Sequence, residues 1–551
     1  MLHASRKVDD PFKNLSAESV RLHTHNFQGL AHRQPKQLTI AHTSDKGRTL
    51  LAGRDFKVGD LVLCERPAVS TAKKRQRDWC LRCQRWVAGP KPMPCCSGGC
   101  GFRFCGTCED AGEKARDRHA LECALLRHLP ELRALGWPEP LAIWMAKTAA
   151  LKWSDPMAWS LIMSLEQHEH FYERERPEHW HAMKLQAFQF TETMKSVLPG
   201  SFIPEEALAL QLATRCNSFT HKRPVFEHVF ALYPHTAAMM EHSCEPNCTW
   251  VDANELALMP EQVMLPLTLA VRAIRPIRSG QAVSIAYVAL DIPTHRRQAA
   301  LSQMGFRCRC WRCLDPTEYA SGIFEVNCSC GGKQMPPEPD YDVTEAEWIC
   351  NACGASRTWK AVREEDDNLH AAVEAAFIGD SEKEVELLLS GPLAKFSKQH
   401  YLRYLCHKYL ADRTLRILGA AGMEVSGRLT ATSASAVVAH HDAALQLMRS
   451  VLPEFDPMKT SVCRWQAAAL LAVCRCTPTE PWRRYNLALR RVWAALREAE
   501  ASAAACYGQD ASCTNALREH IAQFKAALEP EGVHDAPCFK KHRFHKNQVK
   551  Q

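Results

Sequence analysis

The stretch "MEHSCEPNC", Met240–Cys248, gathers a histidine, two cysteines, a proline and an asparagine into nine positions. Reduced cysteines are usually either small buried hydrophobes or metal ligands, and a tight His/Cys group raises the second reading. Whether Cys244 is a ligand depends on where else the chain supplies thiols.

At 551 residues and 46% apolar content the chain is too long for one core, and about 100–200 residues per domain predicts three or four domains. No stretch approaches the roughly 20 apolar residues a bilayer span needs, and "MLHASRKVDD" lacks the apolar core of a signal peptide. A soluble, intracellular protein without membrane contact is expected. Disulfides are rare in reducing compartments, so metal is the natural account of the 26 cysteines. A net charge of +8, spread over so large a surface, does not mark a nucleic-acid binder. The basic runs at Lys73–Arg77 and from Lys540 onward read as a solvated linker and tail, with an import signal or nucleosome contact as the alternative.

Residues 1–37 are polar and aperiodic and read as a disordered tail. From Leu38, "LTIAHTSDKGRTLLAGRDFKVGDLVLCERPAV" strings short strand patterns between the turns "DKGR" and "KVGD", then stops at a Cys/His block over 80–123. A Leu-, Trp-, Ala- and Met-rich helical tract runs to about residue 215. Strand patterns return at "LPLTLAVRAIRPIRSGQAVSIAYVAL", with "RSGQ" as the turn. The expected fold is α+β, a sheet interrupted by insertions. Cysteine groups follow at 308–313 and 328–353. Beyond residue 362 the pattern is helical; "YNLALRRVWAALREAEA" puts Leu489, Val492, Trp493 and Leu496 on one face, a core stripe in an antiparallel array reaching residue 530.

The first block holds Cys80-x-x-Cys83 and Cys105-x-x-Cys108, with Cys95, Cys96 and Cys100 between them and His119 and Cys123 at i and i+4 of a helix. Tetrahedral structural zinc takes four such ligands, so eight make two closed sites and one of Cys95 and Cys96 is surplus. Cys308, Cys310 and Cys313 are one ligand short; Cys244 can supply it, tying two distant segments together. Cys328 and Cys330 with Cys350 and Cys353 complete a ribbon-like module. About four zinc ions are expected, each closed by protein ligands and therefore structural. They use 15 of the 26 cysteines, and the remaining eleven, Cys64, Cys406 and Cys463 among them, read as buried or incidental.

With these residues in this order, the chain resembles the SET-and-MYND family of protein lysine methyltransferases over nearly its full length. The short second finger spacing and the extra four-cysteine module look most like the arthropod branch. "HSCEPNC" resembles the family motif that passes through a knot-like crossing, "RSGQAVSIAYV" its Gly turn and Tyr strand, and "RRQAALSQMGFRCRCWRC" the segment leading into post-SET. The resemblance implies a SET β-fold split by insertions: N-terminal tail 1–37, SET N-terminal part 38–79, MYND zinc finger 80–123, helical insert 124–215, SET catalytic core 216–300, post-SET 301–318, four-cysteine zinc module 319–361, all-helical TPR-like domain 362–530 and basic tail 531–551. It also implies S-adenosylmethionine as cofactor, met by Gly47 and Arg48 of the Gly-rich turn, by Asn217, by His242 and by Phe306, with Tyr287 catalytic at the methyl-transfer point. Thr49 stands where a second Gly is usual. Where most members have Asn before His-Ser-Cys this chain has Glu241, which when ionised only accepts hydrogen bonds; it could pair with the cofactor's ammonium but would repel its carboxylate.

The implied function is methylation of lysine in histone or non-histone protein, in nucleus and cytoplasm, by a monomer whose MYND finger binds proline-containing peptides. Lysine's ordinary pKa is about 10.4, and a narrow apolar channel favours the neutral amine. Tyr287 would hold that amine without becoming a nucleophile. A SET–MYND adaptor with a vestigial catalytic domain, recruiting partners in transcriptional regulation, is the competing reading, to which Glu241 lends weight. A nucleic-acid-binding zinc protein comes third, because the fingers lack the helix-borne base-reading pattern; direct nucleic-acid binding is not expected.

Overall fold

The computed structural model describes residues 37–43, 47–74, 76–84, 87, 99–105, 108, 113–198, 200–223, 227–252, 267–335, 347–417, 429–476 and 482–528. The expected tail 1–37 except Gln37, the basic tail 531–551, Cys95 and Cys96 lie outside the described residues.

β1 (Leu38–Thr43) and β2 (Gly47–Ala52) pair antiparallel, with Leu38 opposite Ala52 and Thr43 opposite Gly47. β3 (Leu61–Glu65) and β4 (Val69–Ala72) close the N-terminal fragment. Then come helices α1 (Glu113–Leu126), α2 (Leu129–Ala134), α3 (Glu139–Ser154), α4 (Pro156–Met163), α5 (Glu169–Glu175), α6 (Pro177–Met194) and α7 (Pro204–Asn217). Proline occupies the first turn of α3, α4, α6 and α7, where a missing N–H leaves no helical bond unmade. Strands resume as β5 (Ser218–Arg223), β6 (Glu227–Leu232), β7 (Glu241–His242), β8 (Cys248–Asp252), β9 (Leu269–Ala273) and β10 (Ser284–Ile285).

Two three-stranded sheets, ordered β3-β9-β8 and β4-β6-β5, join the first fragment to strands that follow the helices. The interrupted sheet expected from the sequence is therefore present, and one core, including Leu50, Phe56, Trp144, Phe190 and Ile285, runs through both parts. Buried Glu65, at the end of β3, accepts the backbone N–H groups of His235, Thr236 and Ala237 at 3.0, 3.0 and 2.7 Å, fixing the turn that leads into the motif.

Residues 281–285 lie between two neighbours. Leu50 and Ala52 bond to Val283 and Gln281 at 2.8 Å on one side. On the other, β10 pairs parallel with β7, Ser284 opposite Glu241 and Ile285 opposite His242. Asn247 fastens the crossing: its Nδ2 donates to Ala282 O at 2.8 Å and its Oδ1 accepts Ser284 N–H at 2.9 Å. The expected Tyr strand is shorter than its pattern. Its last rung is Ser243 N–H to Ile285 O at 3.0 Å, so the pairing ends before Tyr287, which stands in the bend just beyond.

α8 (Thr294–Ser302) and α9 (Trp311–Leu314) lead to a four-stranded antiparallel ribbon, β11 (Val326–Asn327), β12 (Lys333–Met335), β13 (Glu347–Cys350) and β14 (Ser356–Thr358). A helical array follows: α10 (Trp359–Ile378), α11 (Glu382–Ser390), α12 (Tyr401–Ile417), α13 (Ala431–Val451), α14 (Pro457–Cys476), α15 (Trp482–Cys506) and α16 (Ser512–Leu528), each packed on the next. Thr358, Ser381 and Thr430 cap α10, α11 and α13 through their hydroxyls. The expected stripe is core: Leu489, Val492 and Leu496 are buried and Trp493 packs against them.

This second core contains two fully buried histidines. His400 and His441 are both 0% exposed, and neither ring nitrogen of His441 has a hydrogen-bond partner. Burial lowers the pKa of each to about 3, with Lys408 and His440 adding to the effect at His441. The unfolded chain binds these protons near pH 6.5, so stability is complete above that pH and falls as pH drops, by about 1.4 kcal/mol per unit for each histidine. Between pH 7.5 and 5.5 the urea midpoint of the wild type will fall further than that of His441→Leu. Equal falls in the two proteins would refute this.

Candidate active site and metal centres

Three groups of four cysteines, Cys80/Cys83/Cys105/Cys108, Cys244/Cys308/Cys310/Cys313 and Cys328/Cys330/Cys350/Cys353, each bring all their sulfurs within 4.8 Å of one another. Zinc bound at about 2.3 Å by four thiolates holds neighbouring sulfurs about 3.8 Å apart, whereas a disulfide closes to about 2.05 Å. The sulfurs stand at 3.6 Å for Cys83–Cys105, 3.5 Å for Cys244–Cys313, 3.5 Å for Cys330–Cys350 and 3.7 Å for Cys328–Cys353. Donor set and spacing both fit tetrahedral zinc. A fourth group has three described members, Cys100, His119 and Cys123; His119 Nε2 lies 3.8 Å from Cys100 Sγ while its Nδ1 faces Glu122 at 3.6 Å, an orientation that presents Nε2 to a metal. Cys406 and Cys463 are fully buried, and burial pushes both thiols up to about 12, which keeps them inert.

Local structure explains the groupings. In the ribbon, Gly332 is needed because a side chain there would meet the Cys350 sulfur at 2.7 Å. In the Cys244/Cys308/Cys310/Cys313 group, Gln298 of α8 clamps Cys308 from both sides, accepting its N–H at 3.1 Å and donating to its carbonyl at 2.7 Å. Cys244 reaches this group from the Met240–Cys248 stretch, ahead of α8 in the chain.

The other candidate residues fall into two clusters. His242, Tyr287 and Phe306 meet as rings: centroids are 5.3 Å apart for His242–Tyr287, 6.2 Å for Tyr287–Phe306 and 6.0 Å for His242–Phe306. His242 Nδ1 accepts the Tyr287 N–H at 3.0 Å, which leaves Nε2 to carry the ring proton towards Cys244 Sγ at 3.3 Å. One imidazole thus joins the cysteine group to Tyr287. Tyr287 is 37% exposed as a residue, yet its hydroxyl turns inward and donates to the Met240 carbonyl. Burial of that hydroxyl, with Glu241 beside it, pushes the phenol above its ordinary range.

The second cluster is built on β2. Gly47 has φ +69°, a conformation that favours glycine, and nothing lies within 4 Å of where a side chain would stand. Arg48 donates to the Ser164 hydroxyl at 3.1 Å and to its carbonyl, and Asn217 donates to Glu166 O at 2.9 Å. Both therefore anchor the 164–168 turn, which sequence reading did not single out. Gly305 packs against the same turn, where an added side chain would meet His168 at 2.9 Å. Thr49, 1% exposed, donates to Glu241 Oε1 at 2.5 Å and so joins the two clusters.

Residues 47–288, from this glycine to just past Tyr287, match the SET domain family. SET domain-containing protein SmydA-8, isoform B, of Drosophila melanogaster is 24% identical over 331 residues, covering 57% of this chain and 66% of that protein. The histone-lysine N-methyltransferase SMYD3 of Mus musculus is 28% identical over 283 residues, covering 49% of this chain and 60% of that protein. The chain spans less than two thirds of the length of each. A solved structure, the crystal structure of the SET domain of LSMT bound to lysine and AdoHcy, overlays 82% of this chain on 90% of that one at 12% identity and a TM-score of 0.27, too loosely to equate residues. The chain is a SET-domain protein. Within that class its similarity is to SET-and-MYND proteins of fly and mouse.

Proposed function

We propose that this protein is an S-adenosylmethionine-dependent protein-lysine N-methyltransferase acting on histone or non-histone protein in nucleus and cytoplasm. In this reading the Cys80–Cys123 block is a MYND finger that binds proline-containing peptides, and the domain limits are those given by the sequence. The observation that carries the proposal is the meeting of Tyr287, His242 and Phe306 beside Glu241, on the crossing fixed by Asn247.

The cofactor supplies an electrophilic methyl group when bound. Gly47, Arg48, Asn217, Glu241 and His242 would hold it: the open space at Gly47 lets main chain approach a ligand, and Glu241 offers a carboxylate to an ammonium. Phe306 and the rings around it would exclude water from the target lysine, and exclusion of water favours the neutral, nucleophilic amine. Because its phenol is raised, Tyr287 keeps its proton at neutral pH and acts by hydrogen bonding and position, as neither base nor nucleophile. Tyr287→Phe removes the tie to Met240 that sets the ring, and misplacement on the ångström scale costs on the order of 10²-fold in rate. Transfer of label from radioactive cofactor to protein in a cell extract will fall by about that factor. Unchanged labelling would remove Tyr287 from the reaction, and absence of labelling by the wild type would favour the adaptor reading.

A further inference from the structure

The Cys244/Cys308/Cys310/Cys313 centre has a buried charge shell that the reaction does not use. Arg297 of α8 is 0% exposed, and each of its five N–H donors has an acceptor. Nε donates to Cys244 Sγ at 3.2 Å, and one terminal nitrogen donates to Cys313 Sγ at 3.8 Å and Thr294 Oγ1 at 2.6 Å. The other donates to Glu318 Oε2 at 2.7 Å and Ile292 O at 2.5 Å. Arg312, also 0% exposed, donates to the same Glu318 oxygen at 3.0 Å and to Val451 O at 2.9 Å. Glu318 completes the shell by accepting Thr294 N–H at 2.6 Å.

The backbone around Glu318 is strained to allow this. Glu318, Tyr319 and Ala320 have φ of +46°, +64° and +52°, three consecutive non-glycine residues in the left-handed region. Such conformations persist only where surrounding contacts over-determine them. Here the Glu318 carboxylate is held by two buried arginines, and Asp315 accepts the N–H groups of Thr317 and Tyr319 at 2.8 and 2.7 Å.

We infer that Arg297 is a positioning residue that supplies the counter-charge of this zinc centre, and that Arg312 and Glu318 lock the charged centre to the end of α13. Four thiolates on Zn²⁺ carry a net charge of −2. Buried in an apolar surround with Leu290 and Leu301, such a dianion is costly unless a cation sits against the sulfurs, and Arg297 does so at two of the four. Val451 is the last residue of α13, where the carbonyl has no partner within the helix, and Leu452 next to it packs against the same cysteine group. Metal occupancy is thereby coupled to docking of the helical array, whether or not the protein transfers methyl groups.

The test uses the full-length zinc-loaded protein, a chromophoric chelator to time zinc release, and hydrogen exchange at residues 447–452. Outer-shell partners typically change metal affinity 10–100-fold. In Arg297→Met one zinc should leave about 10–100-fold faster than in wild type, with exchange at 447–452 rising as it leaves, while the other ions keep their rates. Arg297→Lys, which retains the charge, should recover most of that loss. Arg312→Met, which leaves Arg297 on the sulfurs, should raise exchange at 447–452 and speed zinc release less than Arg297→Met does. Wild-type release from Arg297→Met would overturn the inference, as would release from Arg297→Lys as fast as from the Met form. If the Met variant does not fold, the Lys variant alone decides: retention of zinc supports the charge role, and rapid loss refutes it.

Discussion

Replacing Cys244 by serine will remove one zinc of four and unfold the surroundings of Tyr287 while the Cys80–Cys123 block keeps its metal. Serine offers no thiolate, and three cysteines cannot close a tetrahedral site. Structural zinc contributes on the order of 10–16 kcal/mol in small domains, so losing one such site exceeds the net stability of most domains. The damage should spread along contacts already described. His242 loses the sulfur at 3.3 Å that orients it, and with it the hold on the Tyr287 N–H; Arg297 loses an acceptor at 3.2 Å and keeps Glu318, shared with Arg312, as its carboxylate partner. Elemental analysis under reducing, chelator-free conditions should give four zinc ions for the wild type and three for Cys244→Ser. Retention of all four by the variant would mean that the centre closes in another way. Two or fewer in the wild type would count against the whole assignment.

What was legible in the sequence was local or arithmetical. Ligand spacing in Cys80-x-x-Cys83 or Cys350-x-x-Cys353 is set by the reach of neighbouring side chains, so it survives without knowledge of the fold. Cys244 was legible for a different reason: a group of three thiols has to find a fourth. The stripe of Leu489, Val492 and Leu496 followed from helical period alone. The interrupted sheet was legible because its strand patterns stop and resume around the helices.

Features made by distant pairing were not legible. Tyr287 was expected in a strand because "VSIAYVAL" is a strand-like apolar run, yet strand length is decided by the partner, and β7 offers only two residues. The 164–168 turn has no motif and gains its place only because Arg48 and Asn217 reach it from β2 and α7. Nothing in the sequence beside the cysteine run sets Arg297 and Arg312 apart from other arginines. Only the packing of α8, the left-handed turn and the end of α13 makes them buried.

Changing Glu241 to asparagine will weaken S-adenosylmethionine binding by about 1.5–3 kcal/mol, the worth of a hydrogen bond to a charged group, or roughly 10- to 150-fold in Kd. Two departures from the family pattern, Thr49 for glycine and Glu241 for asparagine, prove to be one hydrogen-bonded pair at 2.5 Å. A buried hydroxyl pointed at a carboxylate oxygen stabilises the charge and fixes its position beside β2, where Gly47 leaves the main chain open. A fixed carboxylate at that place attracts an ammonium, and asparagine cannot supply the charge. Titration with 5′-methylthioadenosine, which lacks the amino-acid end, serves as the control: its affinity should not change in Glu241→Asn. Thr49→Val should weaken the full cofactor too, but by less in the Asn background, because the hydroxyl acts through Glu241 and contacting residues are not additive. Tighter binding by Glu241→Asn would instead mean that the carboxylate repels the cofactor's own carboxylate. No binding by either form would leave the zinc centres and the folded SET domain intact and move the functional reading from enzyme to adaptor.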